Sequence, residues 1–273
     1  MSPVTLSGLC RAGDISRQGY YQGRRERQRM NRDTAGILAA VRRERAVQPR
    51  VGARKLQILL RATQLEVGRD ALFRTLAEHD LLVTPKKKSP RTTYHDQTLP
   101  VYRNLLYTFR PTQPHEVWVS DVTYIDTDEG FTYLSLVTDR VSRRIVGWNA
   151  AATNSAADCI KALEMAIAQL PAGRAPIHHS DRGSQYCCHE YVAVLRARTL
   201  PVSMTEQNHC YENCYAERVN GILKDEFHLD RKFRTRTHAQ RAIAQAVDTY
   251  NARRLHTSLQ MRTPNQVHQL AAA

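Results

Sequence analysis

The 273-residue sequence lacks the features that mark membrane, secreted and disulfide-stabilised proteins. It contains no apolar run near the roughly 20 residues that span a bilayer, and residues 1–11 hold no apolar segment typical of a secretory signal. The six cysteines form no regular framework and lie at positions 10, 159, 187, 188, 210 and 214. We therefore expect a reduced chain of the cytosol.

Zinc-binding and coiled-coil patterns are also missing. Residues 1–50 contain no histidine, which excludes an N-terminal His-His-Cys-Cys zinc module there. Paired C-x-x-C spacing is absent, which disfavours a structural zinc site built from Cys187, Cys188, His189, His209, Cys210 and Cys214. No apolar heptads are sustained, so the sequence predicts no coiled coil of its own.

Positive charge is abundant and unevenly distributed. The chain has 40 Lys and Arg against 26 Asp and Glu, a formal net charge of +14, which favours a polyanionic partner, either nucleic acid or a membrane surface. Residues 1–110 hold 22 basic and 9 acidic residues, residues 111–230 hold 10 and 16, and residues 231–273 hold 8 and 1. An acidic centre between basic ends is typical of an enzyme that holds divalent cations while its flanks bind phosphates.

Residues 1–82 predict a small all-α DNA-binding domain. Apolar residues recur at helical spacing in three segments, residues 33–47, 53–63 and 69–79. In the third segment we expect Leu72, Phe73 and Leu76 on one face, with Arg69 and Arg74 elsewhere. Short connections and a basic last helix favour a helix-turn-helix, and a helical bundle with a solvated basic surface is the alternative. Residues 83–110 then predict a basic linker that contains Lys86, Lys87 and Lys88.

Residues 111–230 predict a mixed sheet covered by helices. Val, Ile, Thr and aromatic residues indicate strands at 116–126, 131–138, 144–150, 176–180 and 200–204. Helical spacing is found between and after them, at 155–169, 190–198 and 214–227. The fold class is therefore α/β. Residues 231–273 predict a basic helical tail, with a helix at about 238–252, that packs on this core.

Three carboxylates stand at unusual places in the predicted core. Asp121 interrupts an apolar strand, Asp181 ends a strand and Glu217 begins a helix. Taken singly, each has an ordinary explanation as an edge, turn or solvated residue, and Glu212 and Glu226 compete with Glu217. Together they can meet at the end of the sheet, where like charges raise each other's pKa unless cations lie between them. Two magnesium ions about 4 Å apart would meet that need and would activate a nucleophile at a phosphodiester.

The spacing and the surrounding strings resemble a known family. Asp181 and Glu217 have 35 residues between them, as in the DDE motif of retroviral-integrase-like polynucleotidyl transferases. Four strings resemble, in order, the second-frame (OrfB-type) transposase of the insertion-sequence IS-three family: WVSDVTYI, HHSDRGSQY, NCYAERVNGILKDEF and YNARRLHTSLQMRTPNQV. The segment from RVGARKLQILLR to KKKSPRT resembles that family's helix-turn-helix. The likeness covers nearly the whole chain, although Arg218 and Val219 stand where the family more often has bulky aromatic residues.

The resemblance implies an RNase H-like catalytic core in which Asp121, Asp181 and Glu217 bind two Mg²⁺ or Mn²⁺ ions. It implies hydrolysis of a phosphodiester at the element's end and strand transfer by the exposed 3′-hydroxyl, without a covalent enzyme intermediate. The implied partners are double-stranded DNA of the terminal inverted repeats and of the target, further copies of the chain, and a first-frame product, separate or fused. The resemblance further implies a bacterial protein of the cytoplasm that associates with the nucleoid and has no membrane partner.

Further DNA contacts are expected around the carboxylates and near the C-terminus. Asn220 and Lys224 follow Glu217 at helical spacing, and Lys224 is expected beside the DNA end. Of His178 and His179, we expect one to pack in the strand and the other to form a hydrogen bond. The basic residues near the C-terminus, Arg253, Arg254 and His256, are expected to contact DNA or a neighbouring subunit. The full set of predicted DNA contacts is Arg69, Arg74, Lys86, Lys87, Lys88, Arg182, Ser184, Gln185, Asn220, Lys224, Arg253 and Arg254.

Two other functions fit parts of the sequence. A DNA-binding remnant that acts as a repressor needs only the basic N-terminal part, but it has little reason to keep three carboxylates in register. An RNA-cleaving nuclease of the RNase H type needs the carboxylates, but not the predicted helix-turn-helix or the 35-residue spacing.

Overall fold

The computed structural model describes residues 5–84, 100–206 and 212–270, with only the backbone described in residues 26–32. The chain divides into two compact units, which we call the helical unit, Met1–Val47 with Val51–Thr84, and the sheet unit, Gln48–Arg50 with Pro85–Ala273. Five residues named above lie outside the described residues: Lys86, Lys87, Lys88, His209 and Cys210. Within the described part, no helix is long and apolar enough to cross a membrane.

The helical unit consists of α1 (Leu6–Ala12), α2 (Arg17–Val47), α3 (Ala53–Ala62) and α4 (Arg69–Glu78). Its buried cluster is aliphatic and comprises Ile37, Ala40, Val41, Val51, Leu56, Leu60, Leu72 and Leu76. The predicted helix at 33–47 is the second half of α2. Its first half was missed because Arg, Gln and Glu favour helices by propensity without supplying an apolar stripe.

One predicted face in the helical unit is wrong. Phe73 is 54% exposed, whereas Leu72 and Leu76 on the same helix are buried. Residues four apart lie on one helical face, while the next residue along is turned by about 100°. The buried face of α4 therefore runs through Leu72, Thr75 and Leu76.

The sheet unit contains β1 (Val117–Ile125), β2 (Thr132–Asp139), β3 (Ile145–Ala151), β4 (Ile177–Ser180) and β5 (Val202–Met204). In the described residues these strands form one sheet of order β3-β2-β1-β4-β5. β1, β2 and β3 are antiparallel neighbours, and β4 and β5 run parallel to β1. The predicted strands are confirmed to within about two residues, because each contains the β-branched and aromatic residues that fit a pleated, half-buried surface.

Helices cover both faces of this sheet. They are α5 (Ala156–Ile167), α6 (Ser184–Cys187), α7 (His189–Ala197), α8 (Cys214–Glu226), α9 (Arg236–Arg253) and α10 (Pro264–Leu270). Trp118, Val137 and Val146 pack with α5 and α7 on one face, and Ile125 and Leu136 pack with α8 and α9 on the other. The short helices α6 and α10 were not predicted, since neither is long enough to show a helical period. The mixed α/β architecture agrees with the prediction.

Gly147 allows α5 to pack closely on β3. A Cβ atom at this position would lie 2.0 Å from the backbone oxygen of Ala162 and 2.9 Å from the nitrogen of Ala166. Both are helix backbone atoms, so neither can move aside. A glycine is therefore required where this helix crosses the sheet.

Candidate functional site

The predicted carboxylates lie around one point of the sheet, where β4 ends beside β1. Ser120 on β1 pairs with Ser180 on β4 in parallel register, so Asp121 and Asp181 follow at the same level. Neighbouring strands are about 4.8 Å apart, which brings these two residues near each other. Glu217 lies in the first turn of α8, and α8 packs on β1.

Hydrogen bonds fix the two aspartates and the helix that carries the glutamate. Asn220 Nδ2 donates to Asp121 Oδ2 at 2.8 Å, and the amide of Val122 donates to Asp121 Oδ1 at 3.0 Å. Asn213 Nδ2 donates to the carbonyl oxygen of Ser120 at 3.1 Å. The two asparagines are two helical turns apart, so one face of α8 is tied to β1 at two points. On the β4 side, the amide of Gly183 donates to Asp181 Oδ1 at 3.0 Å.

Asp121 is held in an environment that opposes its charge. Burial raises its pKa to about 7, with a further contribution from Asp181 and a smaller one from Glu217, while the hydrogen bonds from Asn220 and Val122 act in the opposite direction. The three carboxylates therefore interact electrostatically. Within residues 5–84, 100–206 and 212–270, no three His, Cys, Asp or Glu side chains are grouped tightly enough to hold a metal ion.

The two competing glutamates have other partners. Glu226 accepts two hydrogen bonds from Arg254, at 2.8 Å and 2.5 Å, in a bidentate ion pair. Glu212 accepts from Asn104 Nδ2 at 2.7 Å and from Tyr107 Oη at 3.0 Å. Glu217 is the glutamate among the three whose charge acts on Asp121.

Two predicted contacts in the C-terminal segment need correction. Arg254 is only 4% exposed and its guanidinium is paired with Glu226, so it is not available to DNA. His256 is buried as well, with its ring 5.2 Å from that of Tyr250. Arg253, the neighbouring residue, is exposed. A basic residue in a basic segment was thus assigned to DNA although it belongs to the core.

The residues after Asp181 have different surroundings. Arg182 donates from Nε and Nη2 to the carbonyl oxygens of Thr205 and Glu206, each at 2.7 Å, and so holds the segment after β5. Ser184 is exposed and Gln185 is half-buried. In the helical unit, Arg69 and Arg74 are exposed on α4, and Arg69 Nε donates to Asp70 at 2.9 Å.

Lys224 lies on α8, the helix that carries Glu217. Its Nζ is 4.4 Å from the centroid of the Tyr124 ring. Burial lowers the pKa of Lys224, and the charges of Asp121 and Asp230 act in the opposite direction. Lys224 is therefore close enough to Asp121 for their charges to interact. Asn220 donates a hydrogen bond to Asp121 directly.

Both histidines before Asp181 form hydrogen bonds, whereas the sequence predicted this for one. His178 Nε2 is 2.8 Å from Ser120 Oγ and 2.9 Å from Tyr191 Oη, and His179 Nδ1 is 2.8 Å from Ser203 Oγ. Burial lowers the pKa of His178 to about 3 and that of His179 to about 4. The neutral rings link β4 to the neighbouring strands and so support the position of Asp181.

Asn213 is the site residue that the sequence did not single out. It is 2% exposed and anchors the start of α8. The sequence feature that could have pointed to Asn213 is its position four residues before Glu217, at the N-cap of the helix. Asparagine is common at helix N-caps for local reasons, so this signal did not separate a tertiary contact from ordinary capping.

The integrase core family matches the sheet unit. One model described as an integrase core domain matches residues 111–210, and a second with the same description matches residues 199–264. Integrase-like cores in general use divalent metal ions. The matched ranges contain β1 to β5 together with α8 and α9.

Curated proteins of insertion sequences are similar over most of their length. The 31 kDa protein of insertion element IS600 from Shigella sonnei is 35% identical, over 97% of this chain and 100% of its own. Transposase InsF of IS3A from Escherichia coli K12 is 32% identical, over 81% of this chain and 79% of its own. A putative transposase of IS986/IS6110 from Mycobacterium tuberculosis H37Rv is 34% identical, over 75% and 76%.

A solved structure shows the same fold. The simian T-cell lymphotropic virus intasome, determined by cryo-electron microscopy, aligns with a TM-score of 0.50 and 19% identity over 80% of this chain and 70% of the viral chain. The predicted RNase H-like core is thereby confirmed at the level of fold. From the similarity to the insertion-sequence proteins and the integrase core together, the chain belongs to the IS3 family of insertion-sequence transposases.

Proposed function

We propose that Asp121, Asp181 and Glu217 are the catalytic carboxylates of this transposase and that they hold two Mg²⁺ or Mn²⁺ ions. The observation that carries the proposal is the half-buried side chain of Asp121 at the end of the sheet, which accepts a hydrogen bond from Asn220 and whose pKa is raised to about 7 by burial and by the two other carboxylates. A divalent cation relieves this unfavourable burial of like charge. Carboxylate oxygens are also the ligands that magnesium and manganese prefer.

The three carboxylates supply ligands of the type that these ions bind. A complete metal site also requires Glu217 to approach the two aspartates. Asp121 and Asp181 are fixed by hydrogen bonds from Asn220, Val122 and Gly183. Glu217 is partly exposed, at the start of α8. A rotation of its longer side chain toward the aspartates would complete the set. The chemistry that two such ions supply is activation of a nucleophile and stabilisation of the leaving oxygen.

The reaction that follows is phosphoryl transfer at the ends of the insertion sequence. A water oxygen attacks the terminal phosphodiester, the P–O bond to the 3′ oxygen breaks, and a 3′-hydroxyl is released. That hydroxyl then attacks a phosphodiester of the target DNA and displaces its 3′ oxygen. The protein positions the strands and stabilises charge, as phosphoryl transfer requires. Lys224, close to Asp121, is proposed to bind a phosphate beside the reacting one.

Double-stranded DNA is the proposed ligand of both units. In the helical unit, α3 and α4 are proposed to act as a helix-turn-helix, with the exposed Arg69 and Arg74 on phosphates. The other proposed contacts are Lys86, Lys87, Lys88, Ser184, Gln185 and Arg253, with Arg182 acting mainly on the protein backbone. The expected DNA contact of Asn220 needs correction, because Asn220 is only 6% exposed and its amide is bound to Asp121. We further propose self-association, because two DNA ends must be joined, a first-frame product as partner or fusion, and action in the bacterial cytoplasm at the nucleoid.

The test replaces each carboxylate by its amide. Asp121→Asn, Asp181→Asn and Glu217→Gln are each expected to lower magnesium-dependent cleavage of a terminal DNA duplex by more than about a hundredfold, since several kcal/mol of charge stabilisation is lost. DNA binding should persist. Asp126→Asn and Glu164→Gln change exposed carboxylates of the same unit and serve as matched controls. Full cleavage by any of the first three variants removes that residue from the proposal.

A further inference from the structure

Two exposed aromatic rings and one half-buried ring lie together on the β1–β2 hairpin. Tyr124 is 55% exposed and Phe131 is 46% exposed. Their ring centroids are 4.9 Å apart, and those of Phe131 and Tyr133 are 6.4 Å apart. Tyr133 is also the cross-strand partner of Tyr124. We call Tyr124, Phe131 and Tyr133 the aromatic patch.

A positive charge lies against the aromatic patch, near the carboxylates. Lys224 Nζ is 4.4 Å from the centroid of the Tyr124 ring, which is within the range of a cation–π contact. Tyr124 lies three residues beyond Asp121 on the same strand, about 10 Å away at the usual rise per residue. Side chains alternate along β1, so Asp121 and Tyr124 leave opposite faces of the strand, and Lys224, whose pKa responds to the charge of Asp121, connects the two. Flat apolar faces and one cation are therefore presented together at the end of β1, about 10 Å along the strand from the proposed catalytic site.

The hairpin that carries the aromatic patch is held from outside the sheet. Thr127 forms a parallel bridge with Phe233, and the amide of Asp128 donates to the carbonyl oxygen of Phe233 at 2.9 Å. The amide of Arg236 donates to Glu129 Oε2 at 2.8 Å. These contacts fix the turn between the two strands. The exposed rings are thus held in place before any ligand arrives, which lowers the entropy cost of binding.

We propose that the aromatic patch stacks an unpaired nucleobase of the DNA strand that reacts at the carboxylates. The inference rests on the proposed function, because its ligand is the DNA of that reaction. Bases that leave the duplex are bound by stacking on aromatic faces, with basic groups on the backbone. A base inside a duplex has both faces covered by its neighbours, so the aromatic patch selects an unpaired or separated end. Lys224 also favours an anionic strand over a second copy of this chain, whose net charge is +14.

The function of the aromatic patch is then to separate the strands next to the scissile phosphate. A stacked base offsets part of the free energy that unpairing costs. The patch is a positioning element, since none of its side chains lies among the proposed reacting groups. Loss of a ring is expected to weaken end binding and to leave the chemistry of the bound strand intact.

The test combines changes in the protein with changes in the DNA. Tyr124→Leu and Phe131→Leu remove a ring face, while Tyr124→Phe and Phe131→Tyr keep one and serve as matched controls. Binding of the full chain to a terminal duplex is measured by fluorescence anisotropy without divalent metal, with single abasic sites placed at successive positions near the cleavage point. We expect the leucine variants to bind about tenfold more weakly, a loss of about 1.4 kcal/mol, within the range for one stacked base.

The expected signature is non-additivity at one DNA position. There, the abasic site should weaken wild-type binding by a similar factor and should not weaken the leucine variants further. A 2-aminopurine base at that position should change its fluorescence on binding to wild-type protein, a readout that needs no variant. Additive effects at every position, or leucine variants that bind as well as the wild type, overturn the proposal.

The aromatic patch and the proposed function fail in distinguishable ways. If the wild-type protein shows metal-dependent cleavage but the binding effects are additive, the proposal for the aromatic patch is overturned and the catalytic proposal stands. Non-additive binding together with full cleavage by Asp121→Asn supports the patch and overturns the catalytic proposal. Because Tyr124 and Phe131 are half-exposed, matching thermal midpoints of all four variants are expected, and they exclude unfolding as the cause of weaker binding.

Discussion

The arginines of α4 in the helical unit and the charges near the sheet of the other unit lie in opposite environments. In the helical unit the buried cluster is aliphatic, and Arg69 and Arg74 of α4 are exposed. In the sheet unit a carboxylate lies within a strand, and Arg254 is buried against Glu226. Exposed charge attracts a polyanion over a distance and is screened by salt, whereas buried charge acts at short range and costs free energy. The first arrangement is suited to holding DNA and the second to acting on it.

The sheet unit itself holds two kinds of charge that are shielded from solvent, one fully buried and one half-buried. The Arg254–Glu226 pair neutralises itself through two hydrogen bonds. Asp121 has one amide and one backbone donor, and its pKa is raised to about 7. An ion pair whose charges neutralise each other supports the fold. A carboxylate whose ionised form is disfavoured by its surroundings is typical of a functional site.

The largest expected effect on stability comes from neighbouring arginines in α9 and just after it. Arg254→Ala leaves Glu226 without its bidentate partner in a largely buried position, and we expect a loss of about 3–5 kcal/mol in the free energy of unfolding. Arg253→Ala changes an exposed residue and should alter stability by less than about 0.5 kcal/mol. Chemical denaturation monitored by circular dichroism checks both. Equal effects would mean that burial does not distinguish these charges.

A second expected effect is a dependence on pH that is confined to the sheet unit. Burial, with smaller contributions from His115 and Arg144, lowers the pKa of His268 to about 3, and its Nδ1 lies 2.9 Å from Ser142 Oγ. The unfolded chain takes up a proton near pH 6.5 that the folded ring does not. This contribution to stability is therefore full above pH 6.5 and is lost as the pH falls toward 3.

His268→Gln isolates that contribution. Glutamine stays neutral and retains hydrogen-bonding groups for Ser142. Between pH 7 and 4.5 the variant should lose about 1 kcal/mol less stability than the wild type, after allowance for solvent screening of the partly exposed ring. Unfolding titrations at the two pH values measure this, and hydrogen exchange shows which unit opens. An equal loss in both proteins would assign the acid sensitivity to other groups.

The sequence was sufficient to predict what has a local or a family signature. Asp121 was singled out as a candidate because an aspartate in an apolar strand is disfavoured, and Glu217 because its spacing from Asp181 matches a known pattern. The strands followed from β-branched and aromatic residues. The resemblance then supplied the RNase H-like fold, which the similarity to the viral intasome confirms.

What the sequence did not predict depends on tertiary position. Nothing local distinguishes Arg254, which is buried against a glutamate 28 residues away, from its exposed neighbour Arg253. Asn213 fits an ordinary helix cap, and its bond to Ser120 exists only because α8 packs on β1. Tyr124 fits an ordinary strand residue, and its exposure beside Phe131 depends on how the hairpin is covered.

A third expected effect concerns exposed charge in the helical unit. Arg74→Gln should weaken binding to a terminal duplex several-fold and lower the slope of log affinity against log salt by about 1, as the loss of one phosphate contact predicts. Arg198→Gln makes the same change in charge at an exposed position of the sheet unit and serves as the control. Salt titrations of both variants, monitored by anisotropy, test the assignment. An unchanged slope for Arg74→Gln would remove α4 from the DNA interface.

The smallest expected effect compares two adjacent residues of α4. Phe73 is 54% exposed and Leu72 is 1% exposed, although both are large and apolar. Phe73→Ser should change the free energy of unfolding by less than about 0.5 kcal/mol, because the ring is largely solvated already. Leu72→Ala, the control, should cost about 2–5 kcal/mol through lost burial and the cavity that remains. A large loss for Phe73→Ser would mean that the ring is covered in solution, so that α4 presents an apolar contact beside Arg74 rather than exposed charge alone.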